Sequence, residues 1–336
     1  MVNVAAKPKG VERMVWQMQC DEGKPLDSRR LGGLPLGLGG RPLDAGLFSN
    51  VDAAITNREA WSMNLSAELT TFLDQPGRTF HPRVHQKEHD PALRWDHARY
   101  DMLGPIAPRC KRLEVYGRGD DEKRACGLQA LRSPCRIISI GSANNWGFER
   151  AVARRTCCRI DTFDCTIARD VEPPTTLRGR VFLHHACLGV RNETRGASHT
   201  RFSGVARERQ FFDWPSLLRS IQLSTPPDFL KMDIEGFEYE TLRSMLATEA
   251  NAALLPRQIA VELHYKTQFR ELSWFGRYLG AGEIALFMDH LWRRGGFLLV
   301  DRNDNRFCPH CTELLLARFD RPSSCDALPC SQDSKI

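Results

Sequence analysis

Three carboxylates follow one short apolar run closely enough to share a site. Asp233, Glu235 and Glu238 stand at the end of residues 229–233, which predict a buried strand, and residues 239–246 predict a helix behind them. Carboxylates at the carboxyl end of a buried strand lie where open α/β sheets bind ligands. Because burying carboxylates is costly without partners, we interpret the cluster as a functional site. The alternative is that Glu235 and Glu238 only favour the helix N-terminus through its dipole.

A second strand–loop–helix pattern precedes this one. Residues 136–140 predict a strand, Gly141, Ser142 and Asn145 lie in the loop, and residues 148–155 predict a helix. A glycine at the strand end lets a ligand approach the backbone, and the two polar side chains can donate to a carboxylate. The loop has neither the glycine spacing of a dinucleotide fingerprint nor the Gly-Lys-Ser/Thr of a P-loop, so alone it identifies no cofactor.

Asp164 ends a third apolar stretch, about 23 residues after Gly141. An acidic residue at this distance from a glycine turn suits hydrogen bonding to ribose hydroxyls. The alternative is a loop aspartate that caps a turn.

In this order the segments resemble the class I S-adenosylmethionine-dependent methyltransferases, and more narrowly the FkbM-type family with its methyltransferase-21 domain. The resemblance covers roughly residues 95–320 and is greatest for eukaryotic methyltransferase-like members with extra cysteines before the first strand. The motifs that carry it are SIGSANNWGFE (139–149), TFDCT (162–166), LKMDIEGFE (230–238), IAVELH (259–264) and NRFCPHCTEL (305–314).

The resemblance implies a Rossmann-like domain, S-adenosylmethionine as cofactor, and a hydroxyl or carboxyl oxygen as methyl acceptor. His185 and Ala186 follow the third predicted strand, where the family fold places adenine contacts. The residues expected to bind the cofactor are therefore Gly141, Ser142, Asn145, Asp164, His185 and Ala186.

On the acceptor side we expect Asp233, Glu235 and His264 to act in catalysis. Methyl transfer from a sulfonium depends on positioning, and an alcohol acceptor must also lose its proton to a carboxylate or imidazole. Asp233 is the first candidate for the transfer centre and His264 a candidate base. The alternative for His264 is a structural histidine at the strand end beside Glu262, with its hydrogen bonds satisfied.

Two metal sites remain open as alternatives, although none is assigned. Carboxylates with one imidazole, here Asp233, Glu235, Glu262 and His264, suit a divalent metal. The C-x-x-C spacing within residues 308–311 could hold zinc with Cys325 and Cys330, or form a disulfide or free thiols.

Alternating strands and helices predict an α/β fold with a mostly parallel sheet. Strands are expected near 136–140, 158–163, 181–185, 229–233 and 259–264, and two late strands, 297–302 and 312–318, suit an antiparallel hairpin. The predicted fold class is therefore the Rossmann-like class I methyltransferase fold, with a seven-stranded sheet. We expect an irregular N-terminal extension (1–95), a methyltransferase domain (96–320) and a C-terminal tail (321–336).

The composition of the 336-residue chain is typical of a globular protein, with 42% hydrophobic and 26% charged residues. The net charge of +6 comes from scattered arginines, so we expect no nucleic-acid partner. No apolar stretch approaches 18 residues, and residues 1–10 lack an apolar core, so neither a transmembrane segment nor a signal peptide is expected.

The cysteine count of 12 is high for a cytosolic enzyme. Cysteines cluster before the first strand and at the chain end, which favours disulfides and an oxidising compartment. We interpret Cys157, Cys158, Cys165 and Cys187, at predicted strands, as buried thiols.

The prediction from sequence is an S-adenosylmethionine-dependent methyltransferase acting on an oxygen of a small-molecule, glycan or lipid-linked acceptor. Two alternatives are a different Rossmann-type nucleotide-using enzyme and a catalytically silent methyltransferase-fold binding protein. The missing dinucleotide fingerprint disfavours the first, and intact Gly141, Asp164 and Asp233 disfavour the second.

Overall fold

A computed structural model describes residues 45–73, 102–196, 208–267, 281–303 and 310–319, together with residues 272, 279 and 308. The strands are β1 (Phe48–Ser49), β2 (Arg109–Cys110), β3 (Leu113–Tyr116), β4 (Lys123–Cys126), β5 (Arg136–Ile140), β6 (Arg159–Phe163), β7 (Val181–His184), β8 (Cys187–Leu188), β9 (Glu193–Gly196), β10 (Glu208–Phe212), β11 (Phe229–Met232), β12 (Gln258–His264), β13 (Phe297–Asn303) and β14 (Cys311–Arg318). The helices are α1 (Val51–Leu73), α2 (Gly147–Arg155), α3 (Trp214–Ser220), α4 (Glu238–Met245), α5 (Glu249–Ala252) and α6 (Ala281–Gly295).

Seven strands form the central sheet in the order β13-β14-β12-β11-β5-β6-β7. The five strands from β12 to β7 are parallel, and β14 runs antiparallel between β12 and β13. The predicted fold class, including the terminal antiparallel hairpin, is confirmed. The strand order reverses between β5 and β11, and this reversal creates the crevice in which such sheets bind ligands.

The register brings the carboxyl ends of the parallel strands to one edge. Ile140 at the end of β5 pairs with Met232 of β11 on one side and with Phe163 of β6 on the other. The residues that follow these three strands therefore lie side by side. All four residues of β11 and all seven of β12 are buried, as expected for parallel strands covered on both faces.

Helix α1 corrects the expectation of an irregular segment before residue 95. Residues 51–73 are helical, and Arg58 is buried where α1 meets α6. Its guanidinium donates to the Leu103 carbonyl at 3.0 Å and to the Met288 carbonyl at 2.6 Å. The remaining predicted domain limits stay predictions.

The antiparallel hairpin β3–β4 packs beside β12 rather than joining the central sheet. The Gln258 side chain fixes it, because it accepts from the Cys126 amide at 2.8 Å and donates to the Cys126 carbonyl at 2.9 Å. The hairpin thereby carries its turn, Gly119–Asp121, and the start of β4 to the edge where the parallel strands end.

Disulfides join cysteines along and beside the sheet: Cys110–Cys126, Cys135–Cys158, Cys165–Cys187 and Cys308–Cys311. The interpretation of Cys158, Cys165 and Cys187 as thiols was wrong, because neighbouring strands bring each within bonding distance of a second cysteine. Cys157 is disulfide-bonded as well. Cys325 and Cys330 lie outside the described residues.

Part of the segment 191–212 forms strands. β9 and β10 pair antiparallel, and β10 also pairs with β8 in a small three-stranded sheet. Residues 197–207 lie outside the described part. No helix in the described ranges is both long and apolar enough to cross a membrane.

Replacing Arg58 by Met should lower the free energy of unfolding by about 2–4 kcal/mol, because two buried carbonyls lose their donor while the side-chain volume is largely kept. Urea unfolding with the disulfides intact measures this change. Met63→Ala, at a side chain that is 68% exposed on the same helix, is the control and should change stability little. Equal effects of the two substitutions would contradict the assigned role of Arg58.

Candidate active site

Gly141 and Asp233 lie in contact at the point where the strand order reverses. The Asp233 amide donates to the Ile140 carbonyl at 3.1 Å, and a Cβ built on Gly141 would lie 1.8 Å from the Asp233 carbonyl oxygen. Gly141 also has a φ of +78°, which favours glycine. Only glycine therefore lets these two strand ends meet, and they form the floor of the crevice.

Asp164 fixes the shape of the loop after Gly141. Its Oδ2 accepts from the amides of Ser142 at 2.9 Å and Ala143 at 2.7 Å, and its Oδ1 accepts from the amide and the hydroxyl of Thr166. The carboxylate is buried. Both of its oxygens already bind donors of the chain, so the structure gives Asp164 a loop-positioning role, and its predicted contact with ribose stays a prediction.

The other predicted cofactor residues lie along the same edge. Ser142 is buried, and its hydroxyl donates to Asp164 at 3.3 Å, whereas Asn145 is exposed at the end of the loop. His185 and Ala186 directly follow β7. The ring nitrogen Nδ1 of His185 is buried without a hydrogen-bond partner among the described residues, which leaves it available to a ligand.

Lys123 is a site residue that sequence analysis missed. It is 1% exposed at the start of β4, and its ammonium lies 3.6 Å from Asp233 Oδ2 and 3.9 Å from Glu262 Oε2. It also pairs directly with Glu313 of β14. Burial opposes the charge on Lys123, but Glu313, Asp233 and Glu262 outweigh it and raise the pKa of the ammonium. No local pattern marks this lysine, because its partners are distant in sequence.

The ammonium keeps Asp233 ionised. Burial alone would raise the pKa of Asp233, but Lys123, Lys231 and His264 lower it below its ordinary value. Burial and the charge of Asp233 instead raise the pKa of neighbouring Glu262 to about 9, so Glu262 keeps its proton at neutral pH. The Asp233 side chain is 23% exposed, so a substrate can reach an ionised carboxylate here.

Glu238 orients His264 on the opposite side of Asp233. Its Oε1 lies 3.0 Å from His264 Nδ1 and accepts from the amides of Ile234 and Gly236 at 3.1 Å each. His264 Nε2 lies 3.7 Å from Glu235 Oε2. Glu238 is completely buried, so the interpretation that it only favours the helix terminus is too narrow.

His264 carries a charge in this arrangement. Burial opposes protonation, but the surrounding carboxylates, Glu238 first, outweigh it and raise the pKa of the imidazole to about 10. A protonated imidazole donates hydrogen bonds and cannot take up a further proton. In this form His264 suits the role of a donor to an anionic or carbonyl oxygen, and its predicted role of base stays a prediction.

Two sets of side chains within the described ranges bring metal-ligand atoms within 4.8 Å of one another: Asp233, Glu235 and His264, and Glu262, His264, Cys308 and Cys311. The second set contains the Cys308–Cys311 disulfide, and a disulfide sulfur is not the thiolate that zinc binds. The first set has the oxygen and imidazole donors that suit a divalent cation.

Comparison with known proteins agrees with this geometry. A methyltransferase-domain family (Methyltransf_22) matches residues 76–317, and the chain belongs to that family. This match confirms the methyltransferase class and S-adenosylmethionine as its cofactor; the narrower FkbM-type assignment stays a prediction. No curated protein matches the chain.

Three solved structures illustrate the low similarity to known structures. A fibrillarin/Nop5p complex is 12% identical over 56% of this chain and 75% of that chain, with a TM-score of 0.34. The N-methyltransferase NodS from Bradyrhizobium japonicum, in complex with S-adenosyl-L-homocysteine, is 12% identical over 57% and 82%, with a TM-score of 0.31. An O-methyltransferase family protein from Burkholderia thailandensis is 10% identical over 80% and 72%, with a TM-score of 0.32.

Gly141→Ala should destabilise the protein and abolish cofactor binding, because the new methyl group would meet the Asp233 carbonyl oxygen. The matched control is Gly179→Ala, where φ is +77° but no atom lies within 4 Å of the added Cβ. In the control the free energy of unfolding should fall by only about 1–2 kcal/mol, because alanine is strained at this positive φ. Thermal unfolding and calorimetric titration compare the two, and similar stability and binding in both variants would contradict the close-approach argument.

Lys123→Met should lower the free energy of unfolding by about 3–5 kcal/mol, because the buried carboxylates would lose the charge that compensates them. Lys111→Met, at an exposed position before the same hairpin, is the control. Urea unfolding measures both. A loss for Lys123→Met no larger than that of the control would show that the carboxylates do not depend on the ammonium.

Proposed function

We propose that the protein transfers a methyl group from S-adenosylmethionine to an oxygen atom of a small-molecule, glycan or lipid-linked acceptor. The observation that carries the proposal is the contact of Gly141 with Asp233 at the strand-order reversal, where a glycine loop and an ionised carboxylate face the same crevice. Membership of a methyltransferase-domain family supplies the reaction class.

The residues at this edge fit the cofactor. Gly141 gives a ligand close access to the backbone, and Asn145 exposes its side chain at the loop end. Asp164 holds the loop between them, and the buried, unpartnered Nδ1 of His185 lies after β7. We assign the methionine part to the Gly141 loop and the adenine part to the region of His185 and Ala186.

S-adenosylmethionine supplies an electrophilic methyl group when it is bound. The chain must then hold the acceptor oxygen in line with that group, and positioning of this kind accounts for much of the rate. We assign this role to Asp233, whose ionised carboxylate can accept a hydrogen bond from an acceptor hydroxyl. The hydroxyl becomes strongly acidic as its new bond to carbon forms, so even a carboxylate with a lowered pKa can take the proton late in the reaction.

The charged groups around Asp233 favour an oxygen acceptor. His264, protonated and oriented by Glu238, can donate to a second oxygen of the same acceptor, such as a neighbouring hydroxyl or a carboxylate. Glu235 is 36% exposed beside it and completes the rim of the acceptor side. A polyhydroxylated or carboxylated acceptor offers hydrogen-bonding groups at this spacing, which is why we favour a glycan or a similar small molecule.

Cofactor binding is the first test. Calorimetric titration should show micromolar affinity for S-adenosylmethionine and none for NAD, and Asp164→Asn should weaken binding at least about tenfold because the loop loses its acceptor. Asp170→Asn, at an exposed aspartate in the same segment, should bind as the wild type does. Binding of neither ligand would favour a catalytically silent scaffold, and binding of NAD alone a different Rossmann-type enzyme.

Asp233→Asn should reduce turnover at least about 100-fold while calorimetry still detects the cofactor, because the variant keeps the shape of the side chain but not its charge. Transfer of radiolabelled methyl into separate pools of polyols, glycans and lipid-linked sugars measures turnover. Glu240→Gln, an exposed change on α4, is the control.

The chemistry of the new bond tests the acceptor atom. A base-stable ether or a base-labile ester in the product supports oxygen transfer, and an N-methyl product contradicts it. Undiminished turnover in Asp233→Asn would remove Asp233 from the transfer centre.

A further inference from the structure

Asp121 lies against the glycine loop although it precedes β5 in sequence. It ends the turn Gly119–Asp121 of the β3–β4 hairpin. A Cβ built on Gly147, the first residue of α2, would lie 2.0 Å from Asp121 Oδ2 and 3.6 Å from Asn145 Oδ1. The hairpin thus brings a carboxylate to the end of the loop to which we assign the methionine part of the cofactor.

The Oδ2 atom of Asp121 is buried and has no hydrogen-bond partner among the described residues. The adjacent carboxylate of Glu122 is different, because it accepts from Asn303 at 3.2 Å and lies 3.6 Å from Arg124. A buried carboxylate oxygen without a donor is costly, and native proteins seldom leave one so. The Phe148 amide at the start of α2 hydrogen-bonds to the carboxylate of Asp121, and the Oδ2 atom can accept from a further donor that arrives with a ligand.

The backbone carbonyls at the end of β5 already accept from an ammonium group of the chain. The ammonium of Lys231 donates to the Gly141 carbonyl and lies 3.4 Å from the Ile140 carbonyl. A second ammonium at the same carbonyls would lie beside a buried positive charge. An ammonium-bearing ligand in this crevice therefore needs an anionic acceptor at another point of the loop, and Asp121 is placed there.

We propose that Asp121 binds the α-ammonium group of the methionine part of S-adenosylmethionine. The inference rests on the proposed function and extends it to a residue outside the cofactor motifs of the sequence. The amino-acid end of the cofactor is a zwitterion, and the two sides of the loop match it. Asn145 offers an amide to the carboxylate, and Asp121 offers a carboxylate to the ammonium.

The charges around Asp121 are consistent with an ionised acceptor near neutral pH. Burial and the charge of Glu149 raise the pKa of its carboxyl to about 6. Lys231, the Phe148 amide and Lys123 lower this pKa but do not outweigh the first two effects. The free carboxylate therefore predominates above that pH. Since an ammonium ligand favours the ionised form, affinity should be constant above about pH 7 and should fall as the pH drops below 6.

Two ligands that differ only in the amino-acid end test the proposal. S-adenosylhomocysteine carries the ammonium and carboxylate, whereas 5′-methylthioadenosine has the same nucleoside and sulfur without them. Asp121→Asn should weaken the binding of S-adenosylhomocysteine at least about tenfold in calorimetric titration and leave the binding of 5′-methylthioadenosine unchanged. Unchanged binding of the second ligand also shows that the variant is folded. Glu122→Gln is the matched control and should bind both ligands as the wild type does.

Each other outcome has a definite meaning. Equal affinity of the variant and the wild type for S-adenosylhomocysteine overturns the proposal, and so does an equal loss for both ligands, which would make Asp121 a structural residue. The loss of affinity below about pH 6 should be present in the wild type and absent in the variant, and the same profile in both also overturns it. If the wild type binds neither ligand, the proposed function itself is refuted. This result differs from the others because there is then no wild-type affinity with which the variant can be compared.

Discussion

The ammonium of Lys123 lies among three carboxyl groups, those of Asp233, Glu262 and Glu313, and the acidic edge of the sheet is built around that charge. Glu262 and Glu313 are direct cross-strand partners on β12 and β14, and burial beside other carboxylates raises the pKa of both, so that Glu262 keeps its proton. Lys123 reaches both and Asp233 as well, so its ammonium compensates the negative charge of Asp233 and Glu313 in a place that water cannot reach. The same charge keeps Asp233 ionised. Stability and the chemistry of the edge therefore rest on one ion-pair cluster.

The elements of the central sheet were predictable because buried parallel strands are continuous apolar runs. β5 was expected at 136–140 and lies there, and the late strands were expected within two residues of their observed bounds. The positions of Gly141, Asp164 and Asp233 followed from the rule that strand ends meet at one edge. Helix α1 was missed, because its sequence has no clear apolar periodicity and its stability comes from packing on α6 through Arg58.

Lys123 and Asp121 could not be predicted for a different reason. Their roles come from residues far along the chain, and Glu313, the direct partner of Lys123, is 190 residues away. The protonation of His264 is likewise a tertiary effect, since it depends on Glu238 and the other carboxylates around the ring. Local pattern identifies which residue types stand at a strand end, but the charge each one carries is set by its neighbours in space.

The distance in sequence between Lys123 and Glu313 has a consequence for biosynthesis. The ribosome produces the β3–β4 hairpin well before β14, so the ammonium has to remain hydrated until β14 is made. The strands of the parallel sheet can associate before that point, but the acidic edge can close only after β14 has inserted between β12 and β13. A nascent chain that has not yet reached β14 would thus hold the Gly141 loop without Glu313 beside Lys123, and synthesis of β14 is the event that completes the ion-pair cluster.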